Sequence, residues 1–128
     1  MTRGILLIGH GSRTGKSREI IEETARLMQE KSGIQTIPCF LEFDSPGVAE
    51  ALEKLAQTAD KIAAVPMLLA PGTHTEKTIP HLLGIPEGQK KTVIQSANGT
   101  EILLTYADPI GVEPALADIL LKKANFPA

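Results

Sequence analysis

Three side chains able to bind a divalent cation recur at an even interval in this chain: His10, Glu42 and His74, each 32 residues from the next. Two imidazoles and one carboxylate make a donor set suited to a borderline ion such as cobalt, iron, nickel or zinc. A magnesium site would be richer in oxygen. An imidazole also accepts protons near neutral pH, so one group could both hold a metal and take part in proton transfer. Each residue has a plainer reading alone: a satisfied structural histidine, a solvated charge before a helix, a turn residue. The third histidine, His81, reads as a surface residue. Cys39 reads as buried and inert, and a lone cysteine excludes an internal disulfide.

These residues would be positioned by alternating strands and helices. The apolar run Ile5 to Ile8, between Gly4 and Gly9, predicts a strand buried on both faces. Ser17 to Lys31 carries Ile20, Ile21, Thr24, Leu27 and Met28 at helical spacing. Ile34 to Phe43 predicts a second strand, with Pro38 marking an edge or a bulge. Ser45-Pro46 predicts an N-cap and first turn for a helix reaching about Ala59. Lys61 to Ala70 predicts a third strand. A short helix should begin near Thr73 or Thr75 and run through Leu83. Asn98-Gly99 predicts a hairpin; we assign Glu101 to Tyr106 to the main sheet and Thr92 to Ser96 as a weak extra strand. Glu113 to Lys123 predicts a last helix with Leu116, Ile119 and Leu120 facing inward. The βαβαβαβα order implies one α/β domain over residues 1–128: a three-layer α/β/α unit with a four-stranded, mostly parallel sheet. Ligands in such sheets bind beyond the carboxyl ends of the strands. Those ends fall at His10 to Arg13, Glu42, Pro71 to Glu76, and Asp108 to Gly111.

Aromatics make up only 3% of the chain, so the core must be aliphatic. A net charge of −2 with interspersed signs carries no nucleic-acid footprint. No apolar run approaches the ~18 residues of a membrane span, and the apolar stretch after Met1-Thr2-Arg3 is too short for a signal peptide. The expectation is a soluble cytoplasmic protein. A nucleotide-binding P-loop competes for the first turn. Gly15-Lys16-Ser17 supplies its end, but its first glycine would fall at position 10, which is His10. The preferred reading is a solvated loop and helix cap.

Taken together, Leu7-Ile8-Gly9-His10-Gly11-Ser12-Arg13, Phe40-Leu41-Glu42, Val65-Pro66-Met67-Leu68-Leu69-Ala70-Pro71-Gly72-Thr73-His74 with Ile79-Pro80, and Asp108-Pro109-Ile110-Gly111 resemble the CbiX/SirB family. These are short sirohydrochlorin chelatases of the class II chelatase superfamily, and the resemblance spans nearly the whole chain. It implies a homodimer that inserts a divalent metal into sirohydrochlorin or a related tetrapyrrole. Cobalt is favoured and iron or nickel are the alternatives; the metal is a substrate and no organic cofactor is implied. His10 and His74 match the family's catalytic, metal-handling histidines, and Glu42 its acidic metal ligand. Gly11, Ser12, Arg13, Met67, Leu68, Leu69, Gly72 and Thr73 lie beside them and are expected to bind the macrocycle. Arg13 and backbone amides would take its carboxylates, and the Met67-Leu68-Leu69 run its flat face. The chain departs from the family at Phe43-Asp44, after the acidic ligand, and at Lys77-Thr78, before Ile-Pro. A non-catalytic metal or tetrapyrrole carrier is the main rival reading.

Overall fold

The computed structural model describes residues 2–127. Along the chain run β1 (Arg3–Gly9), α1 (Lys16–Ser32), β2 (Gln35–Phe40), α2 (Val48–Leu55), β3 (Lys61–Pro66), a single π-helical turn (His74–Thr78) continuing into α3 (Ile79–Leu83), β4 (Lys91–Gln95), β5 (Glu101–Tyr106) and α4 (Pro114–Lys123). The strands form one sheet in the order β2-β1-β3-β5-β4. β1, β2, β3 and β5 run parallel, and β4 pairs antiparallel with β5.

The sheet therefore has five strands, one more than the four expected. The fifth is the segment around Thr92 to Ser96, which the Asn98-Gly99 turn folds back on β5. Gly99 sits at φ +84°, and its amide donates to Ser96 O at 2.9 Å. Left-handed backbone of this kind is available to glycine at little cost. Pro38 is tolerated because β2 lies at the sheet edge.

One face of the sheet carries the main core. Leu6, Ile8, Ile62, Ala64, Ile102, Leu104 and Tyr106 pack against α2 and α3 there. On the opposite face α1 covers Leu7 and Phe40 with Ile21 and Ala25.

Two helix expectations are overturned. Helix α2 does not start at Ser45-Pro46 or reach Ala59; its cap is Gly47, in extended backbone, and it ends at Leu55. The cause is backbone pairing. Phe40 N–H donates to Pro46 O at 3.0 Å, and a parallel bridge joins Phe40 to Gly47. Residues 46 and 47 thus extend the sheet instead of opening the helix. In α4, Leu116, Ile119 and Leu120 do not face a core. No residue of α4 is buried, and Ile119 and Leu120 are 53% and 60% exposed. Next to the strip covered by α1, the sheet itself shows Val93 and Leu103 to solvent. Among the described residues no helix is long and apolar enough to cross a membrane.

Cys39 is fully buried, and that burial pushes its thiol from 9.0 up to about 12. Burial, with Asp108 nearby, also raises the Tyr106 phenol from 10.0 to about 12. Both groups are held neutral by the fold, while an unfolded chain would lose these protons first. The stability they support is intact below about pH 9 and is lost as pH rises towards the folded-state values. The melting temperature should fall steeply between about pH 9 and 11, and Cys39→Ala should flatten that slope; equal slopes in thermal melts of both proteins would refute the assignment.

Candidate active site

His10 is the first residue past β1, Glu42 lies just beyond β2, and His74 opens the π-helical turn after β3. The three adjacent parallel strands deliver them to one end of the sheet. The imidazoles of His10 and His74 stand edge-to-face, with ring centroids 5.2 Å apart and planes inclined at 62°. Glu42 Oε2 lies 3.7 Å from His10 Nε2, longer than an N–H···O hydrogen bond. His10 Nδ1 is 3.2 Å from Gly11 O. A carbonyl only accepts, so Nδ1 is the donor in this contact, and Nε2 is the ring nitrogen that faces Glu42. His74 Nδ1 is buried without a hydrogen-bond partner among the described residues. Nevertheless, no three His, Cys, Asp or Glu groups among the described residues converge as a ready cage for one ion. The arrangement is an open, half-exposed cluster.

The loops carrying it are stitched together by backbone. Leu41 N–H donates to Gly9 O and Glu42 N–H to His10 O, both at 3.0 Å, extending the β1–β2 pairing past the strands. Gly11 lies where the loops touch, at φ +95°, and a Cβ there would meet Glu42 O at 1.9 Å. The Ser12 amide donates to Asp44 Oδ2 at 3.0 Å. From β5, Tyr106 OH donates to Thr75 O at 2.7 Å and pins the start of the His74 turn. Asp44 and Tyr106 were missed by sequence reasoning: an acid after a strand and a strand-end tyrosine carry no signal for the loops they brace.

The expected substrate residues are only partly assembled. Arg13 is exposed, with its guanidinium carbon 4.7 Å from the Phe43 ring centroid. The Ser12 amide is engaged by Asp44, and the Gly72 amide donates to Thr75 Oγ1 at 2.8 Å, so neither stands ready for a carboxylate. Thr73 precedes the His74 turn and makes no side-chain capping bond to it. Met67, Leu68 and Leu69 do not form one apolar wall. Met67 packs with the α1 cluster, Leu68 joins the main core, and Leu69 alone is largely exposed. The Leu68 and Leu69 carbonyls accept from Ile110 and Gly111 at 2.9 and 2.8 Å, which ties in the Asp108-Gly111 turn. His81 is exposed, as expected. The P-loop alternative fails here too. The amides of Gly15, Lys16 and Ser17 donate to Ser12 O, Thr14 Oγ1 and Ser12 Oγ, so they are not a nest open to phosphate.

The model of the CbiX family matches residues 4–125. The chain belongs to the CbiX family. This CbiX chain is 38% identical over 123 residues to a sirohydrochlorin cobaltochelatase of Saccharolobus solfataricus, covering 95% of itself and 93% of that relative. It is 33% identical over 132 residues to the sirohydrochlorin cobaltochelatase of Methanopyrus kandleri, covering 93% and 92%. Among solved structures it is similar to SirB from Bacillus subtilis with Fe3+, at TM-score 0.75 and 23% identity, over 96% of this chain and 46% of that one. A SirB sirohydrochlorin chelatase from Bacillus subtilis subspecies spizizenii in complex with cobalt matches at TM-score 0.69 and 26% identity, over 96% and 50%. The chain thus spans about half the length of those SirB proteins but nearly all of its curated relatives.

Proposed function

We propose that this protein is a sirohydrochlorin chelatase that inserts a divalent metal, cobalt in the first instance, into the tetrapyrrole. The observation that carries the reading is the His10–His74 pair with Glu42 beside it, at the ends of three adjacent strands. The names of the relatives supply the substrate class. Metallation exchanges the ring's two inner N–H protons for the cation. His10, through Nε2, and His74 would hold the incoming ion, with Glu42 offsetting its charge; as the ion passes to the ring, each freed imidazole takes one of the two departing protons. An open cluster suits this task, because an ion bound in a closed cage would not be passed on. Arg13 would pair with a peripheral carboxylate. The reaction uses no organic cofactor, and the enzyme works in the cytoplasm as a single chelatase-like domain over residues 1–128. Iron, for siroheme, or nickel would be accepted by the same donors.

The test is absorbance-monitored metallation of sirohydrochlorin by Co2+, Fe2+ and Ni2+ against the uncatalysed rates. Acceleration supports the enzyme; tight binding of the ring at the uncatalysed rate would make the protein a carrier.

The active unit is proposed to be a homodimer. Helix α4 exposes Ile119, Leu120 and Leu121, the sheet exposes Val93 and Leu103, and α1 exposes Ile20 and Leu27. Exposed apolar surface on this scale marks an interface. Its occupant is taken to be a second copy because the similar SirB chains are about twice as long. Ile119→Asp with Leu120→Asp removes no buried group, so the fold should persist while sedimentation shows the dimer becoming monomer. A wild-type monomer at micromolar concentration would refute it.

A further inference from the structure

Immediately after Glu42 the backbone does something its sequence does not favour. Asp44 N–H donates to Glu42 O at 2.7 Å, closing a three-residue turn with Phe43 at its centre, at φ +66°. Phe43 is the one non-glycine residue with positive φ among the described residues. For a bulky aromatic this conformation is unusual, and a γ-turn of this hand is rare and strained. The turn is fastened on both sides. Leu41 and Glu42 amides bond to Gly9 and His10 carbonyls, and the Asp44 carboxylate takes the Ser12 amide. What the strain accomplishes is to throw one side chain outward. The Phe43 ring joins neither core cluster and is 55% exposed. The Arg13 guanidinium lies over it, 4.7 Å from its centroid. A strained, well-fastened turn that contributes nothing to the core and holds an aromatic ring in solvent, next in sequence to a site residue, has the character of a binding device.

We infer that Phe43 is a stacking platform for the flat face of the macrocycle, oriented by Arg13, which offers its charge to a rim carboxylate. The proposal rests on the chelatase reading and adds a substrate-binding residue to it. A conjugated ring edged with carboxylates is what an aromatic face beside a guanidinium recognises: the face supplies stacking and the cation supplies charge. Glu42, the residue before Phe43, faces His10 at 3.7 Å, so a ring resting on Phe43 lies beside the metal-handling cluster.

The test uses Phe43→Ala, Phe43→Gly and Phe43→Trp in the full-length protein. Binding of metal-free sirohydrochlorin is followed by its absorbance, and Co2+ insertion by steady-state kinetics. The platform predicts that Phe43→Ala weakens ring binding and raises KM for the tetrapyrrole about five- to tenfold, with KM for Co2+ unchanged and the loss falling on KM more than on kcat. Phe43→Trp should restore binding. Phe43→Gly should bind as poorly as Phe43→Ala yet melt at or above the wild-type temperature, because glycine accepts the turn without strain. A structural role would instead lower the melting temperature of both small variants. Unchanged ring affinity in Phe43→Ala overturns the inference. Wild-type protein that binds the ring in a Phe43-dependent way without accelerating Co2+ insertion would overturn the chelatase reading and leave the platform standing.

Discussion

Replacing His74 with alanine should lower the rate of sirohydrochlorin metallation by two orders of magnitude or more while leaving the protein folded. The size follows from the dual role proposed for the side chain: a positioned acid–base group alone is worth about 10²- to 10⁴-fold. The preserved fold follows from its surroundings. His74 Nδ1 is buried without a partner among the described residues, so truncation strands no hydrogen-bonded group. The turn it opens is held instead by Tyr106 on Thr75 O and by Glu76 N–H on Gly72 O. His10→Ala should behave alike, losing one bond to the neighbouring Gly11 O. Circular dichroism and thermal melts would check the fold, and stopped-flow absorbance the rate. A variant of either histidine that turns over normally would remove it from the mechanism.

The second large effect is expected at Gly11. Alanine there would place a methyl carbon 1.9 Å from Glu42 O, a backbone atom that cannot step aside, at a φ of +95° that side chains resist. Relief requires parting the His10 and Glu42 loops, whose amide–carbonyl bonds are the extension of the β1–β2 ladder. The cost should reach about 3 kcal/mol or more, the range of severe backbone and packing lesions. Metallation should fall with it, because the same movement separates His10 from Glu42. Gly47→Ala is the control, since nothing lies within 4 Å of a Cβ at that position. If denaturant melts show Gly11→Ala to be as stable as Gly47→Ala, the two loops are not in the contact described.

The parts of this protein legible in its sequence are those written in strong, local chemistry. The run Ile5 to Ile8 could only be a buried strand. The order of strands and helices is enough to place His10, Glu42 and His74 at one end of the sheet. What was not legible depends on surroundings. Ser45-Pro46 is sound helix-start chemistry, overridden by backbone pairing of Phe40 with residues 46 and 47. Leu116, Ile119 and Leu120 have the periodicity of an inward face, but periodicity does not say whether the sheet reaches that face to cover it. Met67-Leu68-Leu69 reads as one apolar patch, and the chain divides it between two clusters and solvent. The left-handed Phe43 had no herald at all, since an aromatic residue is among the last to be expected there.

Pro38 carries a last implication. The outermost strand of a sheet is an invitation to a neighbouring chain, which can dock alongside and continue the ladder indefinitely. At β2 that invitation is withdrawn, because an imino nitrogen has no proton to offer an incoming carbonyl. Growth by strand addition is disfavoured along this border, which leaves β4, on the far side of the sheet, as the other edge.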